Sequence, residues 1–166
     1  MTTPEDRINQ LGWELGQAIQ VIMASSFDRS YADVVHDYRR IEEDFISRPG
    51  GNDFHVLETK RRVAEAILLA AHSHGESFDI CRNAWNDLVR LGFTNFRTKC
   101  TESWFYADCC LFNKEVNAGL AVLDPLIMDI EWQLEAMTSN DNAGQRLQDE
   151  LARLKELRDE LKAADQ

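Results

Sequence analysis

The sequence predicts an all-α fold, and three observations carry this prediction. Apolar residues recur at steps of three and four along nearly the whole chain, which is the spacing of one helix face. No segment keeps the apolar–polar alternation of a half-buried strand. The chain has 166 residues, of which 44% are apolar and only 3 are proline. It is therefore expected to bury one core, as a single domain over 1–166, without disulfides or metal.

The first two helices are predicted to form a hairpin over 4–46. Pro4 suits a first helical turn, where its missing N–H would have no intrahelical partner anyway. A short turn follows Ser25, and either Asp28 or Ser30 can cap the second helix. The Pro-Gly-Gly stretch after this helix is the clearest break in the sequence.

The next four helices are predicted to form two further hairpins, over 54–91 and 95–137. Gly75 follows the third helix as a C-terminal cap, since glycine adopts the left-handed backbone geometry at little cost. Gly92 stops the fourth helix, and Thr94 or Asn95 then caps the fifth. Within the sixth helix a proline, Pro125, removes one hydrogen bond and is expected to kink or split the helix.

The second helices of the three hairpins share a common register. Four apolar or small residues recur in each, at an offset of 47 residues between the first two hairpins and of 38 between the second and the third. The longer first offset is accounted for by the Pro-Gly-Gly loop. The three sets are Tyr31, Val34, Tyr38 and Ile41; Phe78, Cys81, Trp85 and Leu88; and Val116, Gly119, Leu123 and Leu126.

This arrangement resembles tetratricopeptide and related helical-hairpin repeats over about 16–125. In such repeats large residues seat each hairpin on its neighbour and a small residue permits close helix approach. The third unit resembles the family most, with Ala107 and Gly119 at the small positions. Because the family's boundary proline is missing and the spacing exceeds its period of about 34 residues, a closed bundle of seven helices is the alternative architecture.

A seventh helix is predicted over 142–164, with an apolar stripe of leucines and i,i+4 ion pairs on its flanks. It is expected to cap the end of the hairpin stack. The alternatives are that it lies in a groove of the stack or forms a homodimer through 143–164. The leucines of the stripe are Leu147, Leu151, Leu154, Leu157 and Leu161.

The resemblance implies that the first helix of each hairpin lines a concave surface for a helix or extended peptide. Aromatic residues there would be the energetic anchors, and Asp108 would fix the orientation of the partner. The alternative is that these residues fill a closed core. The partner-binding residues implied in this way are Met23, Phe27, His74, Trp104, Asp108 and Phe112.

The charge and the cysteines restrict the partners and the compartment. A net charge of −11 argues against nucleic acid and anionic membranes and favours a basic protein or peptide. The sequence shows neither a signal peptide nor an apolar run long enough for a membrane span, so we expect a cytoplasmic protein. Its cysteines are expected to be reduced and mostly buried, with at most one of Cys109 and Cys110 facing the core strongly.

The sequence indicates no cofactor, no metal and no catalytic residue. His72, His74 and Glu76 alternate along a helix and therefore point to opposite sides, which does not suit a metal site. His36 and His55 are interpreted as surface polar residues. No cysteine has a histidine near it in sequence to lower its pKa, and the glycine pair lacks the Lys-Ser/Thr sequence of a phosphate loop.

Three classes of function follow from these observations. The first is a non-catalytic adaptor, chaperone or regulator that holds a helix or peptide in an apolar groove. The second is an immunity or antitoxin-like protein whose acidic surface neutralises a basic enzyme. The third is a helical enzyme or small-ligand receptor, which requires a pocket with convergent polar groups and perturbed titrations.

Overall fold

The computed structural model describes residues 2–137 and 142–166, and this part of the chain is all-α. It contains seven α-helices, a short 3-10 turn at Ser26–Asp28 and no strand. The predicted fold class is therefore confirmed. The helices are α1 (Pro4–Ser25), α2 (Tyr31–Ser47), α3 (Asp53–Ser73), α4 (Phe78–Leu91), α5 (Phe96–Phe112), α6 (Val116–Ala136) and α7 (Asn142–Ala164).

Side-chain caps set the starts of the first five helices. In each, a Ser, Thr or Asn oxygen accepts a hydrogen bond from a backbone N–H of the first turn, which otherwise has no intrahelical acceptor. Ser30 rather than Asp28 caps α2, and Asn95 rather than Thr94 caps α5. The five capping residues are Thr3, Ser30, Asn52, Ser77 and Asn95.

The helices α1, α3 and α5 lie side by side as a parallel row. Each contacts the next, and α2, α4 and α6 pack against the row in chain order. Arg62 of α3 bonds to Gly12 in the first half of α1, whereas His74, just after α3, bonds to Ser26 just after α1. The two helices therefore run in the same direction. His72, near the end of α3, likewise bonds to Asp108, near the end of α5.

Two large apolar clusters both include residues of α5. The first is built from buried residues of the first five helices and includes Leu15, Tyr38 and Leu68. The second is built from residues of α5, α6 and α7. The leucines Leu154, Leu157 and Leu161 of α7 are buried in the second cluster, so much of the predicted stripe packs within the chain. A homodimer through this helix stays a prediction.

Gly119 allows α6 to approach both of its neighbours closely. A Cβ atom at this position would lie 2.9 Å from Cδ1 of Leu161 and 3.2 Å from Cβ of Cys110. Both distances are shorter than ordinary carbon contacts. The small residue is therefore required by packing between α5, α6 and α7.

One local expectation is narrowed and a second is wrong. First, Pro125 does not split α6, which continues through it, and a kink there stays a prediction. Pro125 is exposed, and the buried residues Leu123 and Leu126 hold the helix on either side of it. Second, Cys109 and Cys110 are both fully buried, because α5 contacts α3, α4, α6 and α7 and so has neighbours on opposite faces.

His55 is also not the surface residue that the sequence predicts. It is 3% exposed, and its Nε2 lies 2.7 Å from the carbonyl oxygen of Phe45. A carbonyl oxygen only accepts, so the ring donates this bond and ties α3 to the end of α2. The loop fits closely over the ring, since a Cβ at Gly51 would lie 2.5 Å from Cδ2 of His55.

We expect the variant His55→Ala to lower the free energy of unfolding by about 2–4 kcal/mol, because it leaves a cavity and removes the donor to a buried carbonyl. His36→Ala is the matched control, since the side chain of His36 is 72% exposed. Urea unfolding followed by circular dichroism measures both. Equal stability of the two variants would contradict a structural role for His55.

Candidate functional site

Two adjoining pockets lie along the row of α1, α3 and α5. The first has a volume of about 490 Å³ and the second of about 270 Å³, and they share Met23, Ala66 and Leu69. We call the two pockets together the groove. The first pocket is lined by Gly12, Trp13, Gly16, Gln17, Ile19, Gln20, Arg62, Glu65 and Glu102 in addition to the shared residues.

Arg62 lies against α1 beside two glycines one helical turn apart. Its Nη1 donates a hydrogen bond of 2.7 Å to the carbonyl oxygen of Gly12. A Cβ at Gly16 would lie 2.7 Å from Nη2 of Arg62. The absence of a side chain at Gly16 therefore gives the guanidinium its place against the helix backbone, and the carbonyl of Gly12 fixes its position.

Glu65 of α3 and Glu102 of α5 place two carboxyl groups in the first pocket. Glu102 is 7% exposed, and its Oε2 has no hydrogen-bond partner among the described residues. Burial raises the pKa of Glu102 to about 8, and the charge of Glu65 adds to this shift. Burial also raises the pKa of Glu65 to about 7, with a contribution from Glu58 that Arg62 partly offsets. Near neutral pH the two groups are therefore partly protonated.

Exposed aromatic side chains mark both pockets of the groove. Trp13, in the first pocket, is 67% exposed, and Phe27, in the second, is 90% exposed. Phe27 follows Trp13 by 14 positions, across the rest of α1 and into the 3-10 turn after it, which corresponds to about 20 Å. The groove thus combines apolar rims with a buried acidic centre.

Three of the six predicted partner-binding residues line the second pocket. These are Met23, Phe27 and His74. The ring of His74 also has a structural contact, since its Nε2 lies 3.0 Å from the carbonyl oxygen of Arg29. This contact ties the end of α3 to the connection between α1 and α2.

The other three, Trp104, Asp108 and Phe112, lie around His72 and outside the lining of the two pockets. Oδ2 of Asp108 is 2.6 Å from Nε2 of His72, so this carboxylate is engaged within the chain. The guanidinium of Arg153 from α7 lies 4.5 Å from the ring centre of Trp104. The structure therefore separates the predicted residues into two groups.

Sequence reasoning missed Arg62, Glu65 and Glu102. A signal existed for Glu65, because it is the single charged residue in the apolar run from Val63 to Leu69. The glycine spacing in α1 was a second signal, since small residues four apart permit close contact with another element. Glu102 has polar neighbours in sequence, so nothing there distinguishes it from a solvated residue.

The described part of the chain also bears on metal binding and on membrane spans. No group of three or more His, Cys, Asp or Glu residues there is placed to hold a metal ion. His72 and His74 contact different partners, Asp108 and the backbone of Ser26 and Arg29. None of the described helices is both long and apolar enough to cross a membrane.

In comparisons with known proteins, the chain matches no family model, no curated protein and no solved structure at a significant level. The similarity to tetratricopeptide repeats therefore stays a prediction from the sequence register. The groove, with its exposed aromatic residues, its volume and its carboxyl groups, is therefore the feature that bears on function.

The variant Glu102→Gln is expected to stabilise the fold in alkaline solution. A carboxyl whose folded pKa is raised to about 8 favours folding below its ordinary pKa, and this contribution is lost as the pH rises through the folded value. Replacing it with an uncharged amide should raise the free energy of unfolding by roughly 2 kcal/mol at about pH 9 and change it little at about pH 5.

Urea unfolding at both pH values measures this difference, with Glu43→Gln as the control. Glu43 is exposed on α2, so its variant should leave the pH dependence of stability unchanged. A Glu102→Gln protein with the pH profile of the parent would show that Glu102 is solvated.

Proposed function

We propose that the protein is a non-catalytic interaction module that binds a helix or an extended segment of another polypeptide in the groove. The observation that carries this proposal is the exposure of Trp13 and Phe27 in the two adjoining pockets. Large aromatic side chains beside pockets are typical anchors of protein interfaces, because they bury much area at little entropic cost. Met23 and Leu69 supply apolar lining between them.

The size of the groove fits such a partner. A span of about 20 Å matches nearly four turns of helix or about six residues of extended chain. Both are common lengths of short recognition segments. The charge favours a basic partner, since the chain carries −11 and opposite charge accelerates and orients association.

An immunity or antitoxin-like role is the version of this proposal in which the partner is a basic enzyme. The two versions differ in their dependence on salt. Neutralisation by the acidic surface should weaken steeply as ionic strength rises, because exposed charges are screened beyond about 10 Å at 0.1 M salt. Binding that is anchored by Trp13 and Phe27 should weaken little as ionic strength rises, because burial of apolar surface does not depend on charge.

A receptor or enzyme for a small ligand is the second candidate. The first pocket has about 490 Å³, within the usual range for small-molecule sites. Burial raises the pKa of Glu65 to about 7, which suits general acid–base chemistry near neutral pH. A thermal-shift screen with small molecules tests this candidate, and stabilisation that Trp13→Ala leaves intact but Glu65→Gln abolishes would favour it over a polypeptide site.

We expect peptides selected from a random display library for binding to this protein to depend on the groove. Trp13→Ala and Phe27→Ala should each weaken their binding about tenfold or more, since both remove an anchor. Trp132→Ala is the matched control, because Trp132 is 68% exposed on α6 and lines neither pocket. Isothermal titration calorimetry gives the affinities.

The proposal is overturned if no peptide binds, or if the selected peptides bind the Trp13 and Phe27 variants as tightly as the parent. Loss of binding on Trp132→Ala alone would move the interface to α6. Circular dichroism of each variant establishes that the helices are intact.

A further inference from the structure

We infer that the polypeptide partner places a lysine or arginine side chain into the first pocket, between Glu65 and Glu102. This inference rests on the proposed function, because it names the partner residue that the groove selects. Three observations carry it: an unpartnered buried carboxyl group, the placement of the cation in the pocket lining, and the lining of the pocket.

Glu102 lacks the partner that a buried carboxyl group normally has. It is more than nine-tenths buried, lines the first pocket, and its Oε2 has no hydrogen-bond partner in the described part of the chain. Buried side-chain oxygens are satisfied in the large majority of cases, and an unsatisfied one destabilises the fold. This oxygen is closed to solvent, so a donor from outside the chain would supply the missing hydrogen bond only as the lining opens around the incoming side chain.

Arg62 is the cation within the pocket lining, but it is engaged elsewhere. Its Nη1 donates to the carbonyl oxygen of Gly12 at 2.7 Å, and its Nη2 lies against Gly16. The charge of Arg62 lowers the pKa of Glu65. The pKa of Glu102 is instead raised further by the charge of Glu65. Arg62 therefore acts on Glu65, whereas Glu102 receives no compensating charge from it.

The pocket has the shape and lining for a long basic side chain. Ile19 and Leu69 offer apolar surface to a methylene stem, and Glu65 and Glu102 line the same pocket. Gln17 and Gln20 add amide oxygens that accept from ammonium or guanidinium. Trp13 at the exposed rim provides an aromatic face for the backbone or stem of the partner.

A metal ion fits the same lining less well. Two carboxyl groups alone supply fewer oxygens than the six to eight that calcium takes. No cluster of three or more ligating side chains occurs among the described residues. An organic cation, which needs hydrogen-bond acceptors in one direction and apolar contact along its stem, suits the pocket.

The charged groups around the site give the binding a definite pH dependence. From α3, Glu58, Arg61 and Arg62 act on Glu65, and from α5 Glu102 lies in the same pocket, while the α1 residues of the lining are uncharged. A cation binds the ionised carboxyl groups and releases protons from those that are neutral. Affinity should therefore rise as the pH increases from about 6 to about 9.

The test has two arms. The first uses the peptides obtained by selection from the display library, and the second uses capped single amino acids. In each peptide, every arginine is replaced in turn by citrulline, which keeps the shape but lacks the charge, and every lysine by norleucine. One such replacement should weaken binding to the parent protein about tenfold or more, and only about threefold or less to Glu102→Gln. Glu43→Gln, on the exposed face of α2, should behave as the parent.

Capped arginine amide and capped lysine amide form the second arm, with capped citrulline amide as the control. Their binding is followed by the NMR shifts of the backbone amides of Gly12 and Gly16. The charged probes should shift these signals in the parent protein and have no effect on them in Glu102→Gln. A well-dispersed spectrum of that variant would establish that it is folded.

The outcomes separate the inference from the proposed function. Peptides that require Trp13 but tolerate every citrulline and norleucine replacement would overturn the inference and leave the proposed function standing. Failure to select any groove-binding peptide would overturn both, even if capped arginine binds, since the pocket would then be a site for small cations. Equal sensitivity of the parent and Glu102→Gln to the replacements would place the basic residue elsewhere and overturn the inference.

Discussion

The structure depends on the enclosure of α5 by four other helices. This helix contributes Tyr106 and Cys110 to one apolar cluster and Ala107 to the other, so the two halves of the chain share a single element. Such enclosure demands small or apolar residues on opposite faces, which is why Cys109 and Cys110 are both buried and why Gly119 lies beside Cys110. A larger residue at these contacts would separate the clusters.

The parallel row that α5 completes also creates the groove. While α2, α4 and α6 pack against α1, α3 and α5 in chain order, part of the row stays open at the first pocket. Polar groups gather there: Arg62 is bonded to a backbone carbonyl, and Glu102 is buried without a partner for one oxygen among the described residues. Departures of this kind from the rules of a stable core are expected at functional sites.

Much of the fold follows from local patterns in the sequence, whereas only part of the site does. Helix limits were predictable because caps such as Ser30 and Asn95 act within one turn. Met23, Phe27 and His74, which the register assigns to one surface, line one pocket, and their role in binding stays a prediction. Long-range contacts gave no such signal: the burial of His55 depends on the fit of a loop, and that of Glu102 on which helices enclose α5. Nothing in the residues adjacent to either one reports this.

The acidic centre connects stability with binding. Burial raises the pKa of Glu102 to about 8, so ionisation of the empty site works against folding. With a cation bound in the pocket, ionisation of Glu102 would stabilise the folded protein instead of destabilising it. The cation favours the ionised carboxyl group and donates a hydrogen bond to Oε2. Binding, proton release and stabilisation are then one linked equilibrium. An uncharged peptide that used only Trp13 and Phe27 would leave the buried acid, and its destabilising effect at alkaline pH, unchanged.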